Sequence, residues 1–279
     1  MRQLAMIAVF GISTASFGQT LVSAFDFNGT LNPYVDNNPP NVLPLQARTG
    51  GSPTSSTTPN FMMDTVNAVS KQVAVFAGPD FFRAWHGIGA NGGGAYVNRY
   101  SVLMDVMHTK SSGDTSGWAS FFNTTTDQGN DGDMWIQWSG EDAGGVYGTL
   151  GRGGVYAGKY YANRWNRVIL SVDLTALTAR FYVDGVLQNT VVTGGLDSGL
   201  SMYTYNDGDP AADHLDVLGD NDGDWTPGRI SALGFFDGPL GDTEAAALGV
   251  AGDPVPEPAT MSVMTLGVLA LLRKRRKSA

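Results

Sequence analysis

Apolar and polar residues alternate over short segments of this chain, and glycine-rich turns separate the segments. Between residues 100 and 108, Val102, Met104 and Val106 fall on one face of an extended chain, and the residues between them fall on the other. A period of two is typical of a β-strand, whereas a helix repeats every 3.6 residues. Similar patterns predict further strands at Leu21 to Phe27, Val73 to Phe76, Phe81 to Trp85, Trp118 to Asn123, Met134 to Ser139, Trp165 to Asp173 and Arg229 to Phe236.

The clearest turn signal is Asp184-Gly185, which separates Phe181-Tyr182-Val183 from Val186-Leu187. Asp-Gly suits a type I′ turn, because both central residues of that turn have positive φ. We therefore predict a β-hairpin whose turn is a folding determinant and not a binding site. By contrast, the stretch from residue 32 to residue 59 is rich in Pro, Ser, Thr and Asn and lacks periodicity, so we expect an irregular surface excursion.

One short helix is predicted near the end, from Thr243 to Leu248. Gly241 or Asp242 can cap it, the carboxylates of Asp242 and Glu244 suit the positive end of its dipole, and Gly249 fits the C-cap. Nearly all other segments are strands. We therefore expect an all-β fold, an antiparallel jelly-roll β-sandwich with one short helix near its end.

The N-terminus has the order of a secretory signal peptide: Arg2, an apolar stretch from Leu4 to Ile12, and then small residues. Ser16 and Gly18 fit the positions before a cleavage site, so we predict a signal peptide over residues 1–18. Cleavage after Ala24 is the alternative. The protein is expected to be exported, and residues 19–252 are expected to form the jelly-roll domain.

The C-terminal residues 253–279 combine a Val255-Pro256-Glu257-Pro258 motif, an apolar run from Met261 to Leu272, and the basic cluster Arg273 to Lys277. Twelve helical residues cover about 18 Å of a hydrocarbon layer of about 30 Å, so the run is a poor permanent anchor. The basic end is typical of the cytoplasmic side. We predict a transient apolar membrane helix, and an ordinary C-terminal anchor is the alternative.

This layout resembles the PEP-CTERM sorting signal of Gram-negative bacteria, in which an exosortase acts near the Pro-Glu-Pro. The resemblance implies a sorting protease as partner, transient membrane association through this segment, and a location in the cell envelope, on the cell surface or in the extracellular matrix. Without residues 1–18 and 256–279, Lys+Arg falls from 17 to 11 and Asp+Glu from 26 to 25, so the net charge changes from −9 to −14. So acidic a body repels nucleic acid and anionic lipid, and we expect no nucleic-acid partner.

A second resemblance covers most of residues 21–250. Trp165-Asn166-Arg167-Val168 followed by Phe181-Tyr182-Val183-Asp184-Gly185 is similar to the W-x-x-V … Y-V-D-G segment of laminin G-like, concanavalin A-like sandwich domains. Gly228 to Phe235 and Leu240 to Gly249 resemble the closing strand and helix of those domains. The resemblance implies the fold alone, because the superfamily includes lectins, adhesion modules, glucanases and inert spacers.

Composition excludes several kinds of chemistry. The chain has no cysteine, which removes thiol catalysis and thiolate metal sites. Its glutamates, Glu141, Glu244 and Glu257, cannot form the paired E-x-D-x-x-E motif by which glucanases of this superfamily act. An unrecognised aspartate pair is the remaining enzymatic alternative.

Two acidic loops are candidate Ca²⁺ sites, because Ca²⁺ takes six to eight oxygen ligands in flexible geometry. Asp220, Asp222 and Asp224 imitate the start of an EF-hand loop, but Trp225 replaces its glycine and no glutamate follows at position twelve. A solvated turn is the alternative. The two loops contain Asp127, Asn130, Asp131 and Asp133, and Asp216, Asp220, Asn221, Asp222 and Asp224.

Six tryptophans make stacking against sugar rings a further hypothesis, and a sandwich core with scattered surface aromatics is the alternative. Trp135 and Trp138 are three residues apart on a predicted strand, so we expect one in the core and the other exposed. The sequence as a whole predicts an exported, non-catalytic surface or matrix module that binds an extracellular polysaccharide or a surface protein. A glycan-active enzyme and a structural spacer without a ligand are the alternatives.

Overall fold

The protein is described here by a computed structural model, which covers residues 18–37, 42–50, 55–124, 134–202, 214–220 and 223–255. All pairings between its named strands are antiparallel, and two sheets enclose a common core. The predicted all-β antiparallel sandwich is confirmed. In chain order the strands are β1 (Leu21–Phe25), β2 (Val35–Asp36), β3 (Gln46–Thr49), β4 (Ser55–Ser56), β5 (Asn60–Val66), β6 (Val69–Phe76), β7 (Asp80–Ala84), β8 (Arg99–His108), β9 (Trp118–Asn123), β10 (Met134–Asp142), β11 (Gly145–Arg152), β12 (Val155–Tyr161), β13 (Asn166–Asp173), β14 (Thr178–Val183), β15 (Val186–Val192), β16 (Leu215–Val217) and β17 (Gly228–Phe236).

The first sheet has the order β15-β14-β13-β8-β17-β1-β2, and the β5–β6 hairpin joins it by pairing with β17. The second sheet has the order β12-β11-β10-β9-β16-β7-β3-β4. Val102, Met104 and Val106 of β8 point into the core between the sheets, where Ile136 and Trp138 of β10 meet them. This core is built by alternate residues of both sheets, as the period of two requires.

A second apolar cluster lies on the outer face of the first sheet. Leu103, Ile169 and Tyr182 point outward from β8, β13 and β14, and helix α1 (Asp242–Ala247) covers them with Ala245. Both faces of β8 are therefore buried, which explains why its polar face is almost absent from the sequence. The helix and the residues after it form a third layer over this sheet.

The helix begins and ends one residue earlier than the predicted Thr243 to Leu248. The predicted Gly241 N-cap is confirmed, whereas the C-cap is Leu248 and not the predicted Gly249. Gly241 is the N-cap, and its backbone N–H donates to the Glu244 carboxylate at 2.8 Å. Gly249 follows the helix with φ +72°, which favours glycine. No helix in the described ranges is long and apolar enough to cross a membrane; the apolar run from Met261 lies outside those ranges.

The Asp184-Gly185 turn has the predicted geometry, with φ +49° and +76°. It also packs on the helix, because a Cβ on Gly185 would lie 2.9 Å from Ala246 Cα. The Asp184 carboxylate accepts a hydrogen bond from the backbone N–H of Arg167 at 2.8 Å. The turn therefore connects β13, the hairpin and the helix.

The stretch from residue 32 to residue 59, which composition predicts to be an irregular surface excursion, contains short strands and buried residues. β2 and β4 are edge strands of the two sheets, β3 lies between β7 and β4, and Val42 and Leu45 are each 3% exposed within the main core. Proline interrupts any regular spacing of these apolar residues, so a periodicity search does not detect them. Residues 38–41 and 51–54 lie outside the described ranges.

Candidate functional site

The predicted Ca²⁺ loop is only partly described. Asp220 is 2% exposed, and its Oδ2 accepts the backbone N–H of Asp224 at 3.1 Å, which closes a turn. Asp222 and the whole first acidic loop, residues 127–133, lie outside the described ranges. Within those ranges no three His, Cys, Asp or Glu side chains come together as a metal site. Calcium binding by Asp220, Asp222 and Asp224 therefore stays a prediction.

Asp216, a further member of the second acidic loop, forms an ion pair across the second sheet. It lies on β16 directly opposite Arg83 of β7, and its side chain is fully buried. Arg83 Nε and Nη2 donate to its two carboxylate oxygens at 3.1 and 3.4 Å. This geometry assigns Asp216 a structural role between the two strands.

Each of the three histidines has a structural partner in the sandwich. His108 belongs to the main core, where its Nδ1 lies 2.9 Å from the Tyr160 hydroxyl and burial lowers its pKa to about 3. His86 Nδ1 accepts the backbone N–H of Ile88 at 2.9 Å. His214 packs its ring against Trp85, with centroids 5.9 Å apart.

The two described glutamates also have structural roles. Glu141 accepts hydrogen bonds from Ser112 Oγ and from the backbone N–H of Gly113, both at 2.8 Å, and so fixes a loop. Glu244 caps the helix. Glu257 lies outside the described ranges.

Asp105 on β8 and Arg167 on β13 form the most deeply buried ion pair of the part of the chain that the structure describes. Their side chains are 1% and 0% exposed, and two parallel hydrogen bonds of 2.7 and 2.8 Å join them. The two residues are neighbours in the strand register. Sequence analysis missed this pair, because Asp105 was read only as one residue of an alternating strand.

The same pair fixes the segment that follows the helix, residues 249–255, which we call the C-terminal strap. Arg167 donates to the backbone carbonyls of Leu248 and Asp253, and the N–H of Gly252 donates to Asp105 Oδ2 at 2.9 Å. Val255, the first residue of the predicted sorting motif, packs against the outer apolar cluster. Pro256, Glu257 and Pro258 lie outside the described ranges.

The prediction for Trp135 and Trp138 is half right. They do point to opposite faces of β10, and Trp138 lies in the main core with its Nε1 donating to Thr226 at 3.0 Å. The expected exposure of the other ring is wrong, since Trp135 is 4% exposed. Trp118 of β9 packs edge-on against it, with ring centroids 6.3 Å apart.

Trp118 itself is half-buried and lies on the outer face of the second sheet. Tyr156 of β12 packs against it at 5.0 Å with an interplanar angle of 66°, so the two rings form a corner and not a flat plane. Gln137 lies directly across from Trp118 in the register, and Thr149 lies directly across from Gln137. All three side chains of this row are half-buried. We call the surface formed by this row and Tyr156 the aromatic corner. Its residues are Trp118, Gln137, Thr149 and Tyr156.

Next to this corner, cationic side chains of the protein pack over a second group of aromatic rings. Lys159 Nζ lies 4.2 Å from the centre of the Tyr147 ring and 2.5 Å from Asp142 Oδ2, and the Arg164 guanidinium lies 3.8 Å from the centre of Tyr161. The hydrogen bond from Lys159 holds the pKa of Asp142 below its usual range. These tyrosines therefore offer less ring surface to a ligand than Trp118 does.

A depression of about 650 Å³ lies beside the strap, at the end of the first sheet. Asp64 and Arg229 line it and form an ion pair of 2.7 Å. Burial opposes ionisation of Asp64, but hydrogen bonds from Arg229 and from the backbone of Thr65 outweigh it and lower the pKa. Since these charges satisfy each other, the depression is a weaker candidate site than the aromatic corner.

Comparison with known families identifies one motif. Residues 254–277 match the PEP-CTERM protein-sorting motif, which confirms the predicted sorting signal. The motif indicates an exported protein that is sorted to the cell surface in Gram-negative-type bacteria. No curated protein sequence matches the chain.

Solved structures resemble the sandwich. Domain 4 of AbnA, an extracellular GH43 arabinanase from Geobacillus stearothermophilus whose structure contains arabinotriose, has a TM-score of 0.54 and 18% identity over 83% of this chain and 98% of its own. The receptor-binding domain of botulinum neurotoxin type G has a TM-score of 0.47 and 12% identity over 82% of this chain and 50% of its own. The sandwich is thus similar in fold to this arabinanase domain, and the chain carries a PEP-CTERM sorting motif at its C-terminal end.

Proposed function

We propose that this protein is a non-catalytic surface module that binds an extracellular glycan at the aromatic corner. The observation that carries the proposal is the half-exposed Trp118 ring beside Gln137 and Thr149, on three adjacent strands. Neighbouring strands lie about 4.8 Å apart, so the row extends over roughly 10 Å. That length accommodates more than one polar contact to the same carbohydrate chain.

The chemistry of the row suits a sugar. An indole face covers the apolar C–H face of a sugar ring, while the amide of Gln137 and the hydroxyl of Thr149 can exchange hydrogen bonds with sugar hydroxyls. Ser139 adds a second hydroxyl, 3.3 Å from that of Thr149. These side chains project from β-strands, so their backbone positions are already ordered in the free protein. Binding therefore costs little backbone entropy.

Trp135 supports the position of the corner. Its buried ring packs against Trp118 with an interplanar angle of 83°, and Tyr156 packs against Trp118 as well. Two neighbouring rings therefore hold the half-buried Trp118 side chain in place. The arabinotriose complex of the similar arabinanase domain makes an oligosaccharide a reasonable ligand class for this fold, although identity of 18% transfers no residue.

A surface protein is the alternative partner, because half-exposed aromatic rings also occur at protein interfaces. We further propose that an exosortase-type protease processes the tail and that the apolar run associates with the membrane only until then.

A glycan array combined with an assay for released reducing ends tests the function. We expect the wild-type domain to retain at least one polysaccharide class and to release no reducing ends. Release of reducing ends would establish the alternative enzyme with an unrecognised aspartate pair. Silence in both assays, over neutral, acidic and sulfated glycans, would support the spacer and contradict our proposal.

A further inference from the structure

The C-terminal strap leaves the sandwich on the side opposite the aromatic corner. Val255 packs with the cluster of Leu103 and Ile169 on the outer face of the first sheet, whereas Trp118 lies on the outer face of the second. The main core separates these two faces. The sorting tail and the candidate ligand site are therefore at opposite surfaces of the molecule.

We propose that the Asp105–Arg167 pair sets the orientation in which the membrane-attached precursor is displayed, with the strap face toward the lipid surface and the aromatic corner away from it. Orientation in this sense goes beyond glycan binding and does not depend on it. The partner surface is the membrane that the apolar run enters.

Chain length gives the proposal its physical basis. Five residues lie between Val255 and Met261, the first residue of the apolar run. A fully extended chain spans at most about 3.5 Å per residue, so the strap face stays within about 20 Å of the membrane. The helix layer, the two sheets and the outer side chains together measure more than roughly 20 Å, since adjacent layers are about 10 Å apart. A domain held this closely cannot readily turn its far face to the lipid.

The Asp105–Arg167 ion pair limits how far the domain can lie from the membrane. Arg167 binds the carbonyls of Leu248 and Asp253, and Asp105 binds the N–H of Gly252, so the strap is attached where it begins and again at residues 252–253. If the strap came off the sheet, residues 249–255 would add about 25 Å, and the reach would rise to about 45 Å. The domain could then rotate freely, and the directed display would be lost.

Because the chain has no cysteine, single labels can report this orientation. The full precursor would be purified from a host that has signal peptidase but no exosortase, and reconstituted into phosphatidylcholine vesicles with an acceptor-labelled lipid. Donor dyes would be attached through Ala247→Cys on the strap side and through Ser139→Cys beside the aromatic corner, both at exposed positions. Energy transfer to the lipid is measured for each, after flotation has confirmed that the protein is membrane-bound.

We expect clearly higher transfer from position 247 than from position 139. Arg167→Met should bring the two values together. An insertion of eight Gly/Ser residues after Val255 should do the same while leaving the ion pair and the fold intact, so the test survives if the Arg167 variant fails to fold. Equal or reversed transfer in the unaltered precursor, a difference that persists in the spacer variant, or failure to float with the vesicles would overturn the proposal. Glycan binding is measured separately on the unlabelled precursor, because the dye at position 139 lies in the proposed glycan site. Loss of glycan binding would leave the orientation result unchanged.

Discussion

Arg167 and Asp105 face each other across β13 and β8 with both side chains almost fully buried, and they also bind the backbone of the C-terminal strap. One ion pair thus joins the centre of the first sheet to the segment that precedes the sorting motif. A surface module that must present a tail to a membrane protease gains a defined exit point for that tail from this arrangement.

Breaking the pair should strongly destabilise the domain. Arg167→Met leaves the Asp105 carboxylate buried without its counter-charge, and such changes cost about 3–5 kcal/mol of unfolding free energy. Arg99→Met is the matched control, because the Arg99–Asp173 pair is 44% and 18% exposed and an exposed pair contributes about 1 kcal/mol or less. Urea unfolding measures both, and equal losses would show that the buried pair has no special role.

Gly185→Val should destabilise by about 1–3 kcal/mol, because a β-branched residue is strained at positive φ. The Cβ of the new valine would also lie 2.9 Å from the Cα of Ala246. Gly153→Val is the control, since Gly153 has φ +56° but nothing within 4 Å of its Cβ position. Thermal midpoints should fall further for position 185 than for position 153. A midpoint unchanged by Gly185→Val would mean that the turn does not impose this geometry.

Millimolar Ca²⁺ should raise the melting temperature through Asp220, Asp222 and Asp224. A bound ion stabilises the fold by about 2.7 kcal/mol at a hundredfold excess over Kd. Asp222→Asn should lose most of this gain, whereas Asp114→Asn, at an exposed carboxylate, should keep it. Mg²⁺ should raise the melting temperature less than Ca²⁺ does, because Mg²⁺ requires near-ideal octahedral coordination at shorter ligand distances. If calorimetry detects no heat of Ca²⁺ binding and chelator leaves melting unchanged, the loop is only a solvated turn.

Native mature protein should lack both ends. Intact-mass analysis should show a start near Gln19 or Phe25 and the loss of Arg273 to Lys277, because both terminal segments match processing signals. Deletion of the exosortase in the same strain is the control, and it should restore the mass of the tail. Secreted wild-type protein that still carried the basic cluster would contradict exosortase processing.

Local chemistry made part of this structure predictable from the sequence. The Asp184-Gly185 turn and the Glu244 cap depend on residues within a few positions of one another, so their patterns are visible along the chain. The Asp105–Arg167 pair joins residues 62 positions apart, and no local pattern indicates it.

The candidate site likewise combines features that the local sequence predicts with contacts between residues that are distant along the chain. Alternation predicted that Trp135 points away from Trp138, but the burial of Trp135 depends on Trp118 from another strand. The corner therefore became visible only when strand order and register were known. The sorting motif was predictable in full, because it is recognised as linear sequence.

The affinity of Trp118→Ala for a glycan that the wild-type domain retains tests the central claim most directly. Covering roughly 60 Å² of indole surface at about 25 cal/mol per Å² contributes about 1.5 kcal/mol, or about tenfold in Kd. Isothermal titration should therefore show at least a tenfold weaker Kd for Trp118→Ala, and a Kd unchanged from wild type for Trp165→Ala, which removes a tryptophan on the strap side of the sandwich. Equal affinity of Trp118→Ala and the wild type, with both proteins folded, would contradict a glycan site at the aromatic corner.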